Sequence, residues 1–258
     1  MRRHLLGLAL ASLAPVAAAG AATGDVVVVA KPAFPPPLTS LTPRSGQRLT
    51  VVSTAPRSPT YTAPRATRPP DGAPRVLRGQ GRTRVFGRPG TTFVVYGTSV
   101  IAAFGPKGRL KYAFELRSFE FPPGTVAPGA YGPQEVFWAQ QVGRLLVVQT
   151  AHLGYARDSA GRNGYLTGID LDTGRVTWRS PSLVANAGNF VVVNGMIVSG
   201  YGFTSERDWL YLVDARTGRI RDRVAIPSMA ETLAWSRKRV LVRAYDARVV
   251  VRLDVLFD

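Results

Sequence analysis

The sequence predicts an all-β chain, an array of about four antiparallel four-stranded units, and three observations carry that prediction. From Val76 onward, short β-branched and aromatic runs alternate with glycine turns at close spacing, the pattern of an antiparallel meander. No stretch of helical period competes with it. The segment from Tyr165 to Val176 recurs from Trp209 to Ile220, an offset of 44 residues, with Asp, Thr, Gly and Arg in phase.

Taken in order, the chain opens with Arg2 and Arg3, an apolar run from Leu5 to Ala14 and a small-residue region around Ala17 to Ala21. Residues 1–22 therefore read as a secretory signal peptide, cleaved between about Ala19 and Ala22. The apolar run is shorter than the roughly 20 residues a bilayer requires, so the mature chain is expected to have no transmembrane span and to be exported, periplasmic or secreted. Residues 23–30 contain Val26-Val27-Val28-Val29, too apolar to be left bare, and read as a short strand. Residues 31–75 are dense in proline, including Pro35-Pro36-Pro37 and Pro69-Pro70, and read as a Pro/Arg-rich disordered linker. Residues 76–258 form the repeat domain.

Composition removes several chemistries. The chain has no cysteine, which excludes disulfides, thiolate zinc sites, cysteine nucleophiles and iron–sulfur ligation. His152 is the one histidine left after signal removal, which excludes histidine-rich metal sites. No cofactor is implied. The formal charge of +17 falls to about +15 without Arg2 and Arg3, and apart from Lys31, Lys107, Lys111 and Lys238 it is carried by arginine. Guanidinium forks suit carboxylates and phosphates, so an anionic envelope polymer or an envelope protein is the expected partner; nucleic acid is not.

A weaker copy of the repeat runs from Val100 to Leu110 and a truncated one from Arg248 to Asp254. One complete unit reads as strands Asn189 to Val193, Met196 to Gly200, Trp209 to Asp214 and Arg219 to Ile226, with Thr217-Gly218 in the last hairpin turn. Four strands in about 40 to 45 residues is the size of one propeller blade, so the array is β-propeller-like. Gly168-Ile169-Asp170-Leu171-Asp172-Thr173-Gly174-Arg175-Val176-Thr177-Trp178 resembles the repeat of pyrroloquinoline-quinone-like (PQQ-like) β-propellers, and Leu212 to Ile220 resembles it without the tryptophan. The resemblance implies that the aspartate and Thr-Gly shape the turn between outer strands and that the tryptophan packs between blades. It does not extend to the cofactor, because the vicinal cysteine pair of the quinone dehydrogenases is absent. The last repeat stops at Asp258, where its fourth strand should begin. Val26 to Val29 is the expected closing strand; otherwise the array is left open, or pairs with a second copy as a homo-oligomer.

Loops joining second and third strands share one face of a meander, and here they rhyme. They are His152 to Asp158, with Tyr155, Arg157 and Asp158; Tyr201 to Asp208, with Tyr201, Phe203, Arg207 and Asp208; and Tyr245 to Arg248, with both its end residues. The insertion from Ser118 to Glu135, holding Phe119, Phe121 and Tyr131, is expected on the same face. Aromatic rings, guanidinium forks and carboxylates in company are what ligand recognition needs. These nine loop side chains are the expected ligand-binding residues. No catalytic or metal residue is assigned, since there is no nucleophile elbow, no spaced calcium loop and no carboxylate pair suited to glycoside hydrolysis. The expected function is that of an exported, non-enzymatic binding or scaffold protein of the cell envelope. The alternative is an exported enzyme, an oxidoreductase or polysaccharide-active protein, with its site around His152 and the loop carboxylates.

Overall fold

The computed structural model describes residues 26–30, 32–41, 43, 45–59, 82–88, 90–120 and 133–255. The signal peptide, the stretch 60–81 and the insertion residues 121–132, with Phe121 and Tyr131, lie outside them. The described residues form strands joined by turns and three short 3-10 segments, and no helix among them is long and apolar enough to cross a membrane.

Four antiparallel sheets follow one another along the chain. The first joins β3 (Arg82–Arg88), β4 (Thr91–Tyr96), β5 (Val100–Phe104) and β6 (Leu110–Glu115), and β1 (Val27–Val28) adds to β6 in parallel. The second contains β7 (Glu135–Val142), β8 (Leu145–Ala151), β9 (Tyr165–Asp170) and β10 (Val176–Arg179). The third contains β11 (Val191–Val193), β12 (Met196–Tyr201), β13 (Trp209–Asp214) and β14 (Ile220–Ala225), close to the boundaries read from sequence. In the fourth, β15 (Ala230–Ser236), β16 (Arg239–Ala244) and β17 (Ala247–Val255) are joined by β2 (Gln47–Pro56), which lies antiparallel to β17 with Leu49 opposite Leu253.

Two sequence expectations are corrected here. The closing strand of the last sheet is Gln47–Pro56, not Val26 to Val29, and residues 31–75 are therefore not a disordered linker throughout. The physical reason is alternation: Leu49 and Val51 turn toward the third sheet's core while Arg48 and Thr50 face out, the period of a half-buried strand. The β2 ladder also supplies the hydrogen bonds that the edge of β17 would otherwise lack. Farther upstream, Pro35, Pro36 and Pro37 lie against the second sheet and its loops, and Leu38 packs into the core between the second and third sheets.

Alternate residues of each strand feed the cores between neighbouring sheets. Phe93, Val95, Ile101 and Phe114 meet Val136, Leu146, Val148 and Ile169 between the first and second. Val147, Leu166 and Trp178 meet Phe190, Ile197, Tyr211 and Val213 between the second and third. Val198, Leu210 and Leu212 meet Val240, Val242, Val249 and Val251 between the third and fourth. Among the described residues nothing covers the far face of the fourth sheet, where Leu241 is 42 % and Val52 43 % exposed, and the four sheets form a row that is not closed into a ring.

The repeated turn is the same in both complete copies. Asp170 Oδ1 accepts from the backbone N–H of Asp172 (3.0 Å) and Thr173 (2.8 Å), and Asp214 Oδ1 accepts from those of Arg216 (3.0 Å) and Thr217 (3.1 Å). Gly174 and Gly218 follow with φ of +67° and +68°, the left-handed conformation that glycine adopts without steric penalty. Trp178 lies over Gly168 of its own sheet and against Gly218 of the next, and a Cβ at either glycine would fall inside the indole. The recurring glycine and the tryptophan are thus one packing device that joins sheets two and three.

Candidate functional site

The loop between β8 and β9 is built around two clasps. Asn163, fully buried, accepts from the His152 backbone N–H (2.9 Å) and donates to the carbonyls of His152 (3.2 Å) and Gly154 (3.4 Å). The Asp158 carboxylate accepts from the Tyr155 backbone N–H at 3.1 Å and starts the short 3-10 turn Ala156–Ser159. The β12–β13 loop is fixed in the same way by Asn186, which donates to the Gly202 carbonyl (2.7 Å) and accepts from its N–H (3.1 Å).

Glu206 joins the two loops. One carboxylate oxygen accepts from the Ala156 backbone N–H at 2.5 Å and the other from the Tyr201 hydroxyl at 2.9 Å. Burial, reinforced by the Glu206 charge, holds the Tyr201 phenol well above its ordinary range. Above this bridge Tyr155 and Phe203 meet edge to face at 4.7 Å and 80°. The Arg157 guanidinium stands 4.9 Å over the Tyr155 ring and 3.6 Å from Asp158 Oδ1. Leu153, in the same loop, is 65 % exposed. Tyr155, Arg157, Asp158, Tyr201 and Phe203 are thus brought together across two sheets.

The other four expected residues are placed elsewhere. Arg207 stacks on Trp209 at 5.0 Å, with Arg223 over the same indole at 4.5 Å. Asp208 is half-buried against Gly202, and burial together with Asp246 and Glu206 pushes its carboxyl up to about 6. Tyr245 is exposed beside the turn into β17, where its carbonyl accepts from Arg57 at 3.2 Å. Arg248 pairs in register with Arg243, a residue bonded to Glu231, at the start of β17.

Burial lowers the His152 imidazole to about 4 against the opposing pull of Asp158, so the ring is neutral at neutral pH. Asp158, whose charge acts on the ring, and Glu206 both hold loop backbone. Asp170 and Asp214 brace the repeated turns. No group of three or more His, Asp or Glu side chains among the described residues is arranged to hold a metal ion. Sequence reading missed the bridging role of Glu206 and the clasps of Asn163 and Asn186, because Glu206 and Asn186 act on partners in another loop and Asn163 acts nine to eleven residues away within its own.

No protein-family model matches the chain, and no curated protein matches it. Among solved structures it is similar to the computationally designed Ika4 protein, at 14% identity and TM-score 0.45, over 68% of this chain and 92% of that one. BamB from Moraxella catarrhalis is similar at 13% identity and TM-score 0.39, over 73% of this chain and 62% of its own. The quinohemoprotein alcohol dehydrogenase ADHIIG from Pseudomonas putida HK5 is similar at 17% identity and TM-score 0.38, over 61% of this chain and 27% of its own. The chain thus spans less than two thirds of BamB and of the dehydrogenase.

Proposed function

We propose that the chain is an exported, non-enzymatic binding protein of the cell envelope, a row of PQQ-like propeller blades that recognises an envelope macromolecule through the joined loops of its second and third sheets. The observation that carries this reading is the Tyr155–Phe203 pair, topped by Arg157 and held from below by the Glu206 bridge. Tyrosine and arginine on a preorganised base, next to an exposed leucine, have the composition of an interaction hot spot, and little entropy is lost in ordering them on binding. Asp158, the acid whose charge acts on His152, is engaged in holding backbone, as is Glu206, which favours binding over the alternative of an enzyme centred there.

The test is cosedimentation of the full chain with envelope material from the producing cell, at low and high salt, beside Tyr155→Ala and Phe203→Ala. Retention that persists in high salt and falls about tenfold in either variant supports the reading. Retention that vanishes with salt and ignores both variants reduces the interaction to the basic charge alone and overturns it.

A further inference from the structure

The proline tract is seated on the body as a peptide sits in a receptor. Each residue of Phe34-Pro35-Pro36 precedes a proline, which confines it to extended backbone, and the proline rings have no N–H to offer. The body supplies the donors: the Tyr165 hydroxyl reaches the Pro35 carbonyl at 3.3 Å, and the Ser182 backbone N–H reaches that of Pro36, also at 3.3 Å. Pro37 pairs in parallel with Ser182, and Leu38 drops into the core between the second and third sheets. Phe34, Pro35, Pro37 and Leu38 are half-buried and Pro36 is exposed, as in a docked extended ligand.

Beneath Phe34 is a guanidinium with unmet capacity. Arg179 lies 4.1 Å over Tyr165, 4.4 Å over Phe34 and 4.8 Å over Phe119, so rings enclose it. Its Nη2 donates to Thr150 Oγ1 at 3.3 Å, while Nε and Nη1 are buried with no acceptor among the described residues. A buried charged donor left without an acceptor is destabilising, and charge-assisted bonds to a carboxylate are the strongest remedy. The tract leaves that interaction unmade.

We propose that the groove formed by Tyr165, Arg179 and Ser182 is a docking site for proline-rich segments carrying an acidic side chain, occupied in the resting protein by its own residues Phe34 to Leu38. A partner segment must compete with a tethered occupant whose effective concentration is on the order of millimolar. The unmet nitrogens of Arg179 give an acidic competitor the advantage.

The test uses the full chain and its Phe34→Ala/Leu38→Ser variant, whose intact sheets are checked by circular dichroism and thermal melting. Calorimetric titration with a peptide of residues 33–39, and with the same peptide carrying Ala33→Glu or Phe34→Glu, reads the site directly. Both kinds of peptide are expected to bind the variant more tightly than the unaltered chain. At least one glutamate peptide is expected to bind about fivefold or more tightly than the plain one, an advantage that Arg179→Gln removes. Failure of all three peptides to bind the folded variant overturns the docking site. Equal binding by plain and acidic peptides, or an advantage that survives Arg179→Gln, overturns the assignment of Arg179 to an acidic partner. Because the groove shares none of the residues altered in the loop experiment, either reading can fail without the other.

Discussion

Asp208 and His152 sit in adjoining loops and respond to acid in opposite senses. Asp208 has a folded pKa of about 6, above its ordinary 3.8, so the folded state holds the proton more tightly and this residue's contribution to stability declines as pH rises from about 4 to 6. His152 has a folded pKa of about 4, below its ordinary 6.5, so its contribution is present above about 6.5 and is lost as pH falls toward 4. Between pH 4 and 6 the two trends oppose each other. Asp208→Asn is therefore expected to raise the melting temperature at pH 7 to 8 by a few degrees, with the gain shrinking to nothing near pH 4, where the native carboxyl is itself protonated. Melting curves across that range read it, and a constant difference at all pH values refutes the electrostatic account. The sequence made Asp208 a candidate by its place in a rhyming loop, but its perturbation comes from burial and from Asp246, which only the fold brings about, with Glu206 of its own loop adding to it.

Among elements, the Asp-x-x-Thr-Gly turn was legible because its information is local. Aspartate, threonine and glycine act within five residues, so a 44-residue repeat shows the same hydrogen bonds twice. The packing role of Trp178 was implied only by the resemblance to PQQ-like repeats, and its position between Gly168 and Gly218 gives it a measurable load. Trp178→Ala is expected to cost about 3 to 5 kcal/mol in denaturant unfolding, and Gly218→Ala, strained at φ +68° and crowded by the indole, to destabilise strongly as well. A loss below about 1 kcal/mol in both would mean that sheets two and three are not held by this contact. β2 escaped notice because proline dominates the average composition around it, whereas the Leu49–Val51 alternation is short and its partner strand lies at the other end of the chain. A chain beginning at Val76 lacks β2 and Arg57, and is expected to aggregate through the bare edge of β17. One beginning at Ser45 is expected to stay monodisperse, as size-exclusion chromatography would show.

At the scale of the whole molecule, the number of sheets followed from the repeat, while the sequence left both a closed and an open array as alternatives and the four sheets form the open one. The far side of the fourth sheet carries Arg239 opposite Arg252 and Arg243 opposite Arg248, with Leu241 opposite Val250 between them. Arg252 is bonded to Asp254 and Arg243 to Glu231, so part of that charge is balanced locally. The remaining excess is expected to make the full chain adhere to soluble polyanions such as dextran sulfate at low ionic strength and release them at about 0.5 M salt. Adhesion that ignores salt would point to contacts other than charge.

The pairing of β2 with β17 makes the fourth sheet a clasp between an early and the last strand of the described chain. Its ladder pairs residues far apart in the chain, the kind of contact that costs most loop-closure entropy and slows folding. Because the strands are antiparallel and paired over nine residue pairs, from Ala247 with Pro56 to Val255 with Gln47, removing either strand bares the full edge of the other.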